Sequence, residues 1–133
     1  LDLGLEDVIV QAVDHLGFEK PSPVQEKCIP IVLNEDTDLV ALAQTGTGKT
    51  ASFGLPLIQK IDNDNRNTQA LVLAPTRELC IQIASDLNNY ARFKKTNVVA
   101  VYGGASIMDQ ARNLKRGAQV MKPLIPAPWR SLQ

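Results

Sequence analysis

The sequence predicts an α/β fold in which helices flank a parallel sheet. Short apolar runs alternate three times with stretches of helical periodicity, and this order is typical of parallel βαβ units. A loop rich in glycine and threonine lies between the first predicted strand and the helix that follows it. The chain has 133 residues, of which 44% are hydrophobic and 21% charged, and this composition is that of a folded domain, not of a disordered segment.

Helices are predicted where apolar residues recur at spacings of three and four, and strands where short apolar runs stand between turn residues. Ser22 is a suitable N-cap for the second helix, with Pro23 in its first turn. The predicted helices cover residues 5–16, 23–33, 49–61, 77–93 and 106–116, and the predicted buried strands cover 38–43, 70–74 and 98–101. No strand or helix is predicted beyond Gly117, so we divide the chain into a domain portion at 1–119 and a divergent Pro-rich tail at 120–133.

Charge, cysteine content and hydropathy exclude several classes of protein. Fourteen basic residues balance fourteen acidic ones, so contact with nucleic acid would have to be local; Arg92, Lys94 and Lys95 are expected to form a solvated helix end. Cys28 and Cys80 are far apart, which indicates buried apolar side chains and not a zinc site or a disulfide framework. There is no signal-peptide pattern and no apolar run of the roughly 18 residues that span a bilayer, so a cytoplasmic protein is expected.

The strongest functional signal is the sequence Ala-Gln-Thr-Gly-Thr-Gly-Lys-Thr at residues 43–50. In a phosphate-binding loop, glycines let backbone N–H groups turn toward phosphate oxygens, and the helix N-terminus that follows adds partial positive charge. Lys49 is expected to reach the β- and γ-phosphates and the Thr50 hydroxyl to ligate Mg²⁺, which are positioning roles in catalysis. The general pattern has glycine where Ala43 stands, and the alternative is a flexible turn with an exposed lysine. The strand–loop–helix context favours the phosphate loop.

The segment from Gly17 to Gln25 is a candidate reader of the base. The Gln25 amide offers one acceptor and one donor, which match the N6 donor and N7 acceptor of adenine but not the O6 acceptor of guanine. Phe18 could stack on the base, although by itself the segment is equally explained as a helix stop, a proline turn and a helix start. The residues predicted to bind ATP or ADP are Phe18, Gln25, Gln44, Thr45, Gly46, Thr47, Gly48, Lys49 and Thr50.

In order and spacing, these segments resemble the motifs of DEAD-box RNA helicases. Residues 17–25 are similar to the Q motif, 43–50 to motif I, 74–79 (Ala-Pro-Thr-Arg-Glu-Leu) to motif Ia, and Gly103-Gly104 to the GG motif. The resemblance covers about residues 1–119 and looks closest to bacterial cold-shock and ribosome-assembly helicases. It implies the N-terminal part of the first RecA-like P-loop NTPase domain, with ATP or ADP and Mg²⁺ as cofactors, and a parent activity of ATP-driven RNA unwinding or remodelling.

The resemblance also implies sequence-independent contact with the RNA backbone. Thr76 is placed to cap a helix whose first N–H groups can hold a phosphate, and a neighbouring arginine adds positive charge. Glycines without side chains let a sugar–phosphate chain approach closely. The ordinary alternatives are a helix cap and a strand-end turn. The residues implied in RNA contact are Pro75, Thr76, Arg77, Gly103 and Gly104.

The Asp-Glu-Ala-Asp motif, the Ser-Ala-Thr motif and the second RecA-like domain of the family do not occur in this sequence, so the chain alone is expected not to hydrolyse ATP. The family's later strands are missing too, and the exposed sheet edges would favour a homodimer or a swapped assembly. Three interpretations remain: a nucleotide-binding helicase fragment, an ATPase completed by another chain, and a non-binding, oligomerising remnant with a distorted P-loop. The first is favoured.

Overall fold

A computed structural model describes residues 3–44, 46, 48–118 and 120–123. The helices and strands of this part of the chain are, in order, α1 (Asp7–His15), α2 (Pro23–Asn34), α3 (Lys49–Lys60), β1 (Ala70–Leu71), α4 (Arg77–Tyr90), β2 (Val98–Val101), α5 (Ile107–Lys115) and β3 (Val120–Pro123). All five predicted helices are confirmed, with ends that differ by up to three residues. None of these helices combines the length and the apolar character that crossing a bilayer requires.

The chain forms two compact units, and the first comprises Leu1–Lys60 and Asn89–Lys95. Helices α2 and α3 pack against each other within it. Helix α2 begins at Pro23 because the Gln25 side chain returns to the preceding turn, where its Oε1 accepts a hydrogen bond from the Ser22 N–H at 3.1 Å. The buried apolar side chains of this unit are Ile9, Ala12, Cys28, Ile29, Ala51, Leu55, Pro56, Ile58, Tyr90 and Ala91.

The predicted buried strand at 38–43 is wrong. These residues lie outside regular secondary structure, and the side chains of Val40 and Leu42 are 88% and 94% exposed. A strand needs a neighbour to satisfy its backbone N–H and C=O groups. Among the described residues, β1, β2 and β3 pair with one another and not with this segment.

The sequence predicts that Lys94 lies at a solvated helix end, and for this residue the prediction is wrong. Its half-buried side chain donates hydrogen bonds from Nζ to the carbonyl oxygens of Ile58 at 2.9 Å and Gln59 at 2.7 Å. Both carbonyls lie in the last turn of α3, where the helix offers them no N–H partner and its dipole favours a cation. Lys94 therefore caps α3 from a distant part of the chain, whereas Lys95 is exposed.

Replacing Lys94 by methionine is expected to lower the free energy of unfolding by about 1–2 kcal/mol, because two half-buried carbonyls lose a charged donor. The matched control is Lys95→Met, which is expected to change stability by less than about 0.5 kcal/mol because this side chain is exposed. Urea denaturation of both variants measures the difference. Equal effects of the two substitutions would show that the α3 cap contributes nothing.

The second unit comprises Ile61–Asn88 and Thr96–Gln133 and contains a three-stranded parallel sheet in the order β1-β3-β2. Val120 lies opposite both Ala70 and Val98, so β3 is the central strand. The prediction that no strand follows Gly117 is therefore wrong, because β3 spans Val120–Pro123. The segment Val120–Pro123 is too short for its apolar pattern to indicate a strand. It forms one because β1 and β2 supply hydrogen-bonding partners for its backbone on both sides.

The predicted strand at 70–74 is shorter than expected. Strand β1 contains Ala70 and Leu71 only, and the side chains of Leu71 and Leu73 are each 54% exposed, while Ala74 is buried. Strand β2 agrees with its predicted bounds. Cys80 is buried in α4, as predicted for an apolar cysteine.

Candidate functional site

The glycine loop of the first unit turns sharply into α3. Gly46 and Gly48 have φ angles of +78° and +80°, a left-handed conformation that side-chain-bearing residues rarely adopt. A Cβ atom on Gly48 would also overlap the amide nitrogen of Gln25, so the position requires glycine for its conformation and for its space. Thr45 and Thr47, which the sequence predicts to bind nucleotide, lie outside the described residues.

Helix α3 begins directly after this loop. Its first hydrogen bond runs from the Ser52 N–H to the Gly48 carbonyl at 3.2 Å, and the Ser52 hydroxyl donates to the Lys49 carbonyl at 2.5 Å. The N–H groups of the first turn, including those of Lys49 and Thr50, have no carbonyl acceptor one turn earlier in the helix. They are therefore suited to bind an anion. The Lys49 side chain is exposed, that of Thr50 is half-buried, and Gln44 is exposed in the segment before the loop.

Gln25 joins the predicted base reader to the phosphate loop. While its Oε1 accepts from the Ser22 N–H, its Nε2 donates to the Gly48 carbonyl at 3.2 Å. The sequence predicts both motifs but not this contact between them. In the observed conformation the amide uses one oxygen lone pair and one N–H within the protein, which leaves a second lone pair and a second N–H for other partners.

Phe18 lies beside a groove large enough for a base. Its side chain is 41% exposed, and its ring centroid lies 6.5 Å from that of Tyr90 at an angle of 59°. The groove has a volume of about 590 Å³ and is lined by Phe18, Pro21, Gln25 and Leu55, among others. The structure thus brings Phe18 and Gln25 to one groove of the first unit.

No group of three or more histidine, cysteine, aspartate or glutamate side chains in the described part of the chain could hold a metal ion. The predicted Mg²⁺ ligand in this part is therefore the single hydroxyl of Thr50, with the remaining ligands left to phosphate oxygens and water. Mg²⁺ commonly keeps several waters and takes few protein ligands when it binds with a nucleotide.

In the second unit, the two segments implied in RNA contact lie next to each other. Thr76 caps α4, since its Oγ1 accepts a hydrogen bond from the Leu79 N–H at 3.2 Å. The Arg77 guanidinium reaches the glycine turn, where a Cβ on Gly104 would lie 3.2 Å from Arg77 Nη1. Pro75, Thr76, Arg77, Gly103 and Gly104 are all exposed.

Tyr102 and Gln110 belong to the same cluster and were not singled out from the sequence. The Arg77 guanidinium carbon lies over the Tyr102 ring, 5.0 Å from its centroid. Gln110 on α5 holds the Tyr102 main chain through two hydrogen bonds: its Oε1 accepts from the N–H at 2.9 Å and its Nε2 donates to the carbonyl at 3.0 Å. The one available signal was the position of Tyr102 directly before the two glycines.

An α/β chain with a glycine loop at a helix N-terminus and a glutamine amide against that loop has the architecture typical of the P-loop class of folds. Its particular family follows from comparison, because the model of the DEAD/DEAH box helicase family matches residues 22–125: the chain belongs to this family. The match extends past residue 119, where the sequence analysis ended the resemblance, and includes β3.

Known relatives agree with this assignment. The chain is 51% identical over 120 residues to the ATP-dependent RNA helicase CshA of Listeria monocytogenes. The aligned residues make up 90% of this chain and 23% of CshA. A DEAD box protein from Methanococcus jannaschii has a similar structure, with a TM-score of 0.86, 40% identity and coverage of 91% of this chain and 33% of that one. Saccharomyces cerevisiae Dbp5 L327V, bound to RNA and ADP BeF3, has a TM-score of 0.81 and 28% identity, with 92% and 31% covered. The fold is part of a RecA-like helicase domain, and the chain spans under a quarter of CshA.

Proposed function

We propose that this chain binds an adenine nucleotide with Mg²⁺ and serves as the nucleotide-binding portion of an ATP-dependent RNA helicase that unwinds or remodels RNA. The observation that carries the proposal is the hydrogen bond from Gln25 to the Gly48 carbonyl, since it brings the base-reading side chain to the phosphate loop. Two similar proteins support the proposal: CshA is an ATP-dependent RNA helicase, and the structure of Dbp5 L327V contains RNA and ADP BeF3.

The residues of the first unit fit a nucleotide. Two left-handed glycines shape the loop, the first turn of α3 offers N–H groups, and Lys49 supplies a positive charge to the phosphates. The groove beside Phe18 would receive the base, and Gln25 would select adenine. Mg²⁺, when bound, neutralises phosphate charge, and the Thr50 hydroxyl would be one of its ligands.

RNA contact is proposed for the second unit. Arg77 supplies a positive charge, the first N–H groups of α4 can meet a phosphate, and Gly103 and Gly104 leave room for a sugar–phosphate chain. These groups read no base edge, so we expect weak binding that depends on salt and not on sequence.

Calorimetric titration with ADP and GDP, each with Mg²⁺, tests the nucleotide proposal. The unsubstituted chain is expected to bind ADP and not GDP. Lys49→Ala is expected to weaken ADP binding about 100-fold, because the phosphates lose a charge-assisted contact. Gln25→Ala is expected to weaken it about tenfold and to remove the preference for ADP.

Gln25→Glu is the matched control for the role of the amide. The carboxylate keeps the acceptor for the Ser22 N–H and so preserves the start of α2, but it has no donor for the Gly48 carbonyl or for adenine N7. It is expected to bind ADP as poorly as Gln25→Ala does. Normal ADP binding by Gln25→Glu would show that the amide donor plays no part in recognition.

The alternative function is a non-binding remnant that self-associates. It is favoured by the exposure of Val40 and Leu42, which flank an apolar groove of about 470 Å³ against α2. An unpaired apolar segment of this kind can pair with its counterpart in a second copy. This alternative requires that neither nucleotide bind in the titration and that the molar mass from light scattering rise with concentration. ADP binding by a chain of constant monomeric mass contradicts it.

A further inference from the structure

We propose that Tyr102 and Gln110 are positioning residues that hold Arg77 ready for a phosphate of single-stranded nucleic acid. The inference rests on the proposed RNA contact of Arg77 and adds to it the residues that orient the guanidinium. It is carried by one connected set of contacts in the second unit, which runs from α5 through the Tyr102 main chain to its ring and from the ring to Arg77.

The Arg77 guanidinium lies over the face of the Tyr102 ring. The guanidinium carbon lies 5.0 Å from the ring centroid, so the aromatic face attracts the cation and restricts its orientation. A guanidinium held over the ring through its carbon atom keeps N–H groups at its outer edge, where a phosphate can accept two of them. Arg77 is exposed, so that edge can be reached from solvent.

The main chain of Tyr102 is anchored by the Gln110 side chain. Gln110 bonds both the N–H and the carbonyl of Tyr102, and these bonds are partly buried. Gln110 is itself fixed in α5, because its N–H donates to the Ser106 carbonyl and the Ser106 hydroxyl accepts from the Asp109 N–H at 3.3 Å. Helix α5 therefore fixes the main chain from which the Tyr102 ring projects.

Gly104 leaves space for the Arg77 guanidinium. A Cβ on Gly104 would lie 3.2 Å from Arg77 Nη1, a distance tighter than ordinary contacts, so glycine leaves the guanidinium in its place over the ring. An arginine that is oriented before binding loses less side-chain entropy when a phosphate arrives. The glycine turn, the ring and the Gln110 amide thus act together on one cation.

Fluorescence anisotropy with a labelled oligouridylate of about ten nucleotides, over a series of salt concentrations, tests the inference. Tyr102→Leu is expected to weaken binding about three- to fivefold, since the cation loses its aromatic face, whereas Tyr102→Phe keeps the ring and is expected to bind normally. Gln110→Met loses both hydrogen bonds to the Tyr102 main chain without a change of charge and is expected to weaken binding about as much as Tyr102→Leu. Arg112→Ala removes an exposed arginine of α5 outside the cluster and serves as the control.

The salt dependence separates positioning from charge. Arg77→Ala removes one phosphate contact and is expected to lower the slope of log affinity against log salt by about 1, while Tyr102→Leu keeps the charge and leaves the slope unchanged. NMR supplies a second measurement without RNA, because the ring shifts the side-chain proton resonances of Arg77. This shift is expected to persist in Tyr102→Phe and to vanish in Tyr102→Leu.

The outcomes distinguish the inference from the function on which it rests. If the unsubstituted chain binds no oligouridylate at low salt, or if Arg77→Ala binds normally, the proposed RNA contact fails and the inference with it. If Arg77→Ala weakens binding but Tyr102→Leu and Gln110→Met do not, the RNA contact stands and the positioning role is wrong. An unchanged Arg77 proton spectrum in Tyr102→Leu likewise overturns the inference.

Discussion

Gly48→Ala is expected to weaken ADP binding by about 100-fold while leaving the chain folded. Two effects add at this position. The φ angle of +80° costs a side-chain-bearing residue about 1–2 kcal/mol, which moves the loop away from the conformation that faces phosphate. The new Cβ also overlaps the Gln25 amide and must displace it from the Gly48 carbonyl, so the base reader moves as well. Calorimetric titration with ADP and Mg²⁺ measures the loss.

Gly46→Ala is the matched control. Its φ angle of +78° imposes the same backbone strain, but a Cβ there meets no described heavy atom within 4 Å. We therefore expect a loss of about tenfold, from strain alone. Circular dichroism and thermal unfolding establish that both variants are folded. Equal losses of ADP affinity in the two variants would show that the contact between Gln25 and Gly48 is irrelevant to binding.

Leu55→Ala is expected to lower the free energy of unfolding by about 2–4 kcal/mol. The Leu55 side chain is 3% exposed in α3, so truncation removes buried apolar surface and leaves a cavity. The loss is a large part of the roughly 5–15 kcal/mol that stabilises a typical domain. Urea denaturation followed by circular dichroism measures it.

Leu42→Ala makes the same chemical change within the same unit at a side chain that is 94% exposed, and it is expected to change stability by less than about 0.5 kcal/mol. The comparison also tests the observed state of residues 38–43. A loss in Leu42→Ala as large as that in Leu55→Ala would mean that this segment packs as the buried strand that the sequence predicted.

Local signals explain why the helices were predicted well. Apolar spacing of three and four residues marks α1, α3 and α4, and the Ser22-Pro23 pair marks the start of α2. These signals lie within one or two turns of the residues that they describe, so no distant contact is needed to read them. The same holds for the cap at Thr76, where acceptor and donor are three residues apart.

Strands depend on partners that the local sequence does not contain. Residues 38–43 have the apolar composition of a strand but pair with none of the described strands, whereas Val120–Pro123 have little strand character and lie at the centre of the sheet. The contacts of Lys94 with α3, of Gln25 with Gly48 and of Gln110 with Tyr102 likewise join positions that no local pattern relates.

The sequence by itself determined the helices, the position of the glycine loop before α3 and the family, because periodicity, capping residues and motif spacing are properties of neighbouring positions. Only the tertiary structure decided which strands pair, that the Gln25 amide meets the glycine loop at Gly48, and that the Arg77 guanidinium lies over the Tyr102 ring. The physical reason is that hydrogen bonds and stacking act over a few ångströms in space, and the chain brings residues that are far apart in sequence within that distance only when it folds.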